Sequence, residues 1–74
     1  AAKRGELVRA ALAGTVVSIS VGIGQEVAEG ATLLIVEAMK METAVAAPRS
    51  GTIIEIKVSD GDAISVGSEL VLMR

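Results

Sequence analysis

The sequence predicts an all-β fold: a flattened eight-stranded barrel or sandwich made of two four-stranded halves related by an approximate two-fold axis. Three observations predict it. First, residues 14–37, "GTVVSISVGIGQEVAEGATLLIVE", displaced by 37 positions, lie without a gap on residues 51–74, "GTIIEIKVSDGDAISVGSELVLMR". Seven of these 24 positions are identical and six more exchange one aliphatic side chain for another or for Met, so the two segments share one local structure. Second, each copy opens on alternating apolar and polar residues and closes on an apolar run. Third, glycines fall at the same offsets in both copies, where a chain of short strands has to turn.

The elements follow in order. Residues 7–10 supply a first strand, and residues 43–46 its counterpart in the second half. In the long strand of each copy, Val17, Ile19 and Val21, or Ile54, Ile56 and Val58, alternate with Ser18 and Ser20, or Glu55 and Lys57. Period two with polar residues between describes a half-buried strand, which here turns the Val and Ile side chains inward. Gly24 and Gly61 mark a turn, a short strand follows around Val27 or Ile64, and Gly30 and Gly67 mark a second turn. The runs "LLIV" and "LVLM" then read as closing strands covered on both faces. Residues 8–74 form the domain, and residues 1–7 are expected to be a linker or a disordered segment.

Composition limits the chemistry. With 74 residues the chain is one small domain, and without Cys or His it has no disulfide, no common zinc set and no Ser–His–Asp or Cys–His catalytic arrangement. The core lacks Phe, Tyr and Trp, so it must be thin and aliphatic. A net charge of −2, with scattered Lys and Arg and no aromatic side chain to stack on bases, argues against nucleic acid. No apolar run reaches the ~20 residues of a membrane-spanning helix, so no direct membrane insertion is expected. The "GIGQEV" of residues 22–27 resembles the start of a phosphate loop, yet it lacks the third glycine and a following helix, and its glycines read as turn residues.

Between the copies stands "EAMKMET", residues 37–43. Taken alone, this segment has good helix formers, and Leu34, Ala38, Met41 and Val45 keep helical spacing. No capping residue opens such a helix, however, and residues 33–36 already match a strand of the second copy. A hairpin closes the architecture better. Centred on Met39 and Lys40, it sets Ala38 opposite Met41 and Glu37 opposite Glu42. Met–Lys is a poor two-residue turn, since primed turns favour Asn and Gly, and facing glutamates repel mildly. Local rules broken at one place, in a chain that keeps them elsewhere, point to a functional site.

These residues resemble the attachment motif of biotinyl domains, the biotin carboxyl carrier modules of biotin-dependent carboxylases and decarboxylases. The resemblance covers about residues 8–74 and includes "LAGTV", Ala47–Pro48 as "AP" and Gly61–Asp62 as "GD"; its Ala-Met-Lys-Met core is highly specific. It implies the fold that the repeat already requires. It also implies that Lys40 carries biotin through an amide bond, that Met39 and Met41 are the flanking residues, and that Ala38 and Glu37 complete the segment a biotin ligase reads. The family often has proline where Ala11 stands, although Pro48 holds the position 37 residues on. The ungapped repeat leaves no room for the protruding "thumb" that some carriers insert.

The resemblance further implies partners and a place: a biotin protein ligase, then biotin carboxylase and carboxyltransferase or decarboxylase domains, in the cytoplasm or, in a eukaryote, the mitochondrial matrix. The chain is not expected to be an enzyme by itself. A free lysine amine is mostly protonated at neutral pH, so the ligase is expected to supply both the base and the activated biotin. For the methionines two roles stand open, an apolar collar for partner enzymes or filling at the barrel end. Two alternatives share the fold: a lipoyl domain, which typically has Asp-Lys-Ala at the tip, and a barrel-sandwich adaptor with no modified lysine.

Overall fold

The computed structural model of the chain describes residues 5–74. It has eight strands: β1 (Glu6–Arg9), β2 (Gly14–Ile19), β3 (Glu26–Val27), β4 (Thr32–Ala38), β5 (Met41–Ala46), β6 (Gly51–Ile56), β7 (Ala63–Ile64) and β8 (Glu69–Met73). No helix occurs among the described residues. Of the expected linker, residues 1–4 lie outside the described residues, whereas Glu6 and Leu7 are already paired in β1 with Met73 and Leu72 of β8.

Two four-stranded sheets form, in the orders β1-β8-β6-β3 and β5-β4-β2-β7. Neither sheet is one copy of the repeat. A displacement of 37 residues carries β1 to β5, β2 to β6, β3 to β7 and β4 to β8, so each sheet draws two strands from each half. The halves are thereby interlocked, and neither has a complete sheet alone.

The two-fold relation extends to individual hydrogen bonds. The Val16 amide donates to the Asp62 carbonyl at 2.8 Å, and Ile53, 37 residues on, donates to Gln25 at 2.9 Å. The Gly24 and Gly61 amides donate to the Ile53 and Val16 carbonyls, each at 2.7 Å. Both turns carry a local clamp as well: the Gln25 side-chain oxygen accepts from the Gly22 amide, and the Asp62 carboxylate accepts from the Ser59 amide. Because the chain has no Cys and hence no disulfide to staple so small a domain, this doubled network and the core carry its stability.

The core lies between the sheets. Leu33, Leu34, Ile53, Leu70, Val71, Met73 and Val16 are its largest fully buried side chains. Each such side chain contributes roughly 1.5–3 kcal/mol relative to exposure. Among the described residues, no buried side-chain nitrogen or oxygen lacks a hydrogen-bond partner.

The strict alternation expected for the long strands is corrected at one position in each copy. Val17 is 40% exposed, while its neighbour Val16 is buried. The cause is a β-bulge: Val16 pairs with Val36 and Ser18 with Ile35, which leaves Val17 as the extra residue and reverses the faces around it. A bulge at the matching place in β6, between Ile53 and Glu55, buries Ile53 and leaves Ile54 partly exposed. Beyond the bulges the reading holds, and Ile19, Val21, Ile56 and Val58 pack against the core.

Gly14 shows what holds β2 to β4. A β-carbon built there would fall inside the backbone carbonyl of Glu37, which cannot give way as a side chain could. Gly24 is required for a different reason, a φ of +90° in open space. Gly24→Ala is expected to cost about 1–3 kcal/mol through backbone strain. Gly14→Ala should cost more, by forcing β2 from β4; urea unfolding of the two variants measures the order.

Candidate functional site

The long β4–β5 ladder positions the site. Leu34 pairs with Val45, Ile35 with Ala44, Val36 with Thr43, Glu37 with Glu42 and Ala38 with Met41, which leaves Met39 and Lys40 as a two-residue turn. Their φ angles are 54° and 67°. Both positive, they describe a type I′ turn, whose twist matches that of the strands it joins. Met39 and Lys40 are the only non-glycine residues with positive φ among the described residues. This conformation costs roughly 1–2 kcal/mol per residue for side chains with a β-carbon. The ladder below, whose Leu34 and Val36 are buried, offsets that cost.

The turn therefore stands where the hairpin reading of the sequence put it, and the helical alternative is absent. Lys40 is exposed at the tip. It takes part in none of the ion pairs of the described residues, which join Arg9 to Glu69, Arg49 to Glu6 and Lys57 to Glu55. Lys57 makes the contrast: its amine lies 2.9 Å from Glu55, whose hydrogen bond and charge hold it above the usual lysine range.

Of the two roles open for the methionines, filling the barrel end does not occur. Met39 is 95% exposed and Met41 68%. They flank the amine as an apolar collar facing solvent. Ala38 is half-buried on the core side of the hairpin, and Glu37 and Glu42 are exposed on its outer side. No cleft surrounds these carboxylates, and no group of three or more Asp or Glu able to hold a metal ion exists among the described residues.

The tip has a pole to itself. From Gly14, beside Glu37, β2 runs away from the turn, and the chain then reaches Gly24, bonded to Ile53. There Thr52 and Arg74 exchange two hydrogen bonds at 2.8 Å, and Glu6 pairs with Met73. Gly5 and Arg74 thus lie at the far pole of a body 37 Å long.

One element of this pole escaped the sequence reading. Leu12, in the connection from β1 to β2, is 47% exposed and lies with β5 along an apolar groove. The repeat carried a signal for it, since the position 37 residues on holds the charged Arg49.

An exposed primary amine on a strained, well-anchored turn suits covalent loading. The family model for "Biotin-requiring enzyme" matches residues 2–73. The chain belongs to the biotin-requiring enzyme family. It is 51% identical over 43 residues to the methylmalonyl-CoA decarboxylase subunit gamma of Veillonella parvula, a match that covers 58% of this chain and 33% of that one. Its fold superposes with a TM-score of 0.89 on a single-chain, multi-domain long-chain acyl-CoA carboxylase, at 34% identity, over 95% of this chain and 7% of that one. The same score relates it to the urea carboxylase of Kluyveromyces lactis, at 28% identity, over 95% of this chain and 6% of that one. The chain thus spans a third or less of the length of these relatives. The energetics of the double-methionine collar on the type I′ turn can be tested directly. Met39→Asn, a residue that tolerates positive φ, should raise stability by up to about 1 kcal/mol in urea unfolding, whereas Met41→Ala should leave it within about 0.5 kcal/mol.

Proposed function

We propose that this chain is a biotin carboxyl carrier domain whose Lys40 bears the cofactor, with Met39, Met41, Ala38 and Glu37 forming the segment that a biotin protein ligase reads. One observation carries the reading: in a member of the biotin-requiring family, the lysine between two exposed methionines stands on the type I′ turn of the β4–β5 hairpin. The residues present fit the group, because the amine is uncovered and the collar offers apolar contact without a pocket wall. Lys40 Nζ would form an amide, attacking an activated acyl carbon held by the ligase and losing its proton to a base of the ligase, while the leaving group departs. Biotin, when bound, supplies the ureido nitrogen that holds a carboxyl group in transit.

The remaining work of the chain is mechanical. Its interlocked sheets give a rigid body, and Gly5 and Arg74 lie at the pole opposite the tip. A linker joined at Gly5 or Arg74 leaves Lys40 free to visit one active site and then another. This reading assigns the module to a larger assembly with biotin carboxylase and carboxyltransferase or decarboxylase domains, in the cytoplasm or a mitochondrial matrix. The names of its relatives support it: a decarboxylase subunit and two carboxylases.

Incubation with biotin, ATP and a biotin ligase, followed by intact-mass measurement, tests the proposal. A single biotinyl increment is expected, mapped by peptide digestion to Lys40 and not to Lys57, and Lys40→Arg should abolish it. An increment on another lysine, or labelling by a lipoate ligase in place of the biotin ligase, contradicts the reading.

A further inference from the structure

The apolar groove beside β5 is lined by Ala10 and Leu12 from the β1–β2 connection, Val36 of β4, Thr43 and Ala44 of β5, and Ile64 of β7. Its volume is about 240 Å³. Arg9 stands at its rim, with one guanidinium nitrogen donating to the Gly67 carbonyl at 3.1 Å and another 3.8 Å from Glu69.

The repeat shows that the fold does not require this opening. At the position 37 residues away, Val36 becomes Met73, a larger side chain that is fully buried. Leu12 becomes Arg49, and Thr43 becomes Glu6. Arg49 Nε donates to the Glu6 carboxylate at 2.7 Å and closes that surface with an ion pair. The same site is therefore filled and bridged at the pole where the chain enters and leaves, and open and apolar at the pole of Lys40.

The groove is also within reach of the attachment lysine. Thr43 lies on β5, three residues beyond Lys40 of the turn and so within about 10 Å of it at ~3.3 Å per residue. A lysine side chain extended by a pentanoyl chain has about eleven bonds of ~1.5 Å, which spans that distance with some to spare. We infer that the groove is a resting site for the biotinyl group carried by Lys40. The sulfur-containing ring and its chain lie against Leu12 and Val45, and the ureido oxygen accepts from Arg9 or the Thr43 hydroxyl at the rim. Arg9 has donors left for this, since a guanidinium has five N–H groups. The inference rests on the loading of Lys40 proposed above. It gives the module two states, arm docked and arm extended, so that partner enzymes compete with the groove for the ring.

The test uses the chain labelled with ¹⁵N and ¹³C, before and after enzymatic biotinylation, with intact mass recorded on the same sample. Docking predicts amide shifts at Ala10, Leu12 and residues 43–46, well beyond the turn, and nuclear Overhauser contacts between the ring and the Ile64 or Val45 methyls. The double variant Leu12→Arg, Val36→Met introduces two side chains of the closed pole, those of Arg49 and Met73. It should accept biotin as the wild type does and lose these shifts and contacts, and its biotin should be captured by avidin severalfold faster. Should the variant not fold, the Overhauser contacts of the wild type decide alone. Shifts confined to residues 38–42 in a chain whose mass shows the biotin, or groove shifts that survive the double variant, overturn the resting site and leave Lys40 loading intact. Absence of the mass increment overturns both.

Discussion

The β4–β5 ladder is the constraint on which the rest depends. Two residues with β-carbons, Met39 and Lys40, hold positive φ at its end, and nothing at the tip compensates them locally, because Met39 is almost wholly exposed. The compensation comes from below. Leu33, Leu34 and Val36 bury β4 in the core, and Gly14 lets β2 approach the Glu37 carbonyl more closely than any other residue could. Strain concentrated at one point and supported by the surrounding fold is common at functional sites. Here it fixes the direction in which one amine points.

The interlocking of the halves explains how so small an aliphatic core suffices. Each sheet needs two strands from each copy, so separating the halves would break both sheets together. The arrangement also sets two opposite poles. At one, the chain reverses through the Met39–Lys40 turn; at the other, β1 begins beside the end of β8. The repeat gives both poles the same backbone, and they diverged in their side chains. Met73 and the Arg49–Glu6 pair seal the one, while Val36, Thr43 and Leu12 leave the other open.

Much of this was legible in the sequence because duplication repeats every local signal. Turn glycines, aliphatic strand residues and closing runs each appear twice at one offset, and the paired hydrogen bonds follow that offset. The hairpin was legible because the strand match left too few residues for a helix. What the sequence hid was the bulge. An extra residue in β2 or β6 changes no composition and no period over so short a strand, so Val17 read as inward. Strand exchange between sheets was equally hidden, since pairs such as Glu6 with Met73 and Gly14 with Ile64 lie far apart in the chain and leave no local mark. The motif identified the lysine and its neighbours, yet the groove emerged only from which side chains the two poles do not share.

The fold fixes the turn, whatever Lys40 carries. Nuclear magnetic resonance of the chain with Lys40 free and with Lys40 acylated tests this most directly, through the φ-dependent couplings of Met39 and Lys40 and the cross-strand contact between Ala38 and Met41. Positive φ at both residues and an undiminished contact in both states are predicted. A turn that averages over several conformations when the amine is free, or that re-forms as another type after acylation, would contradict the account.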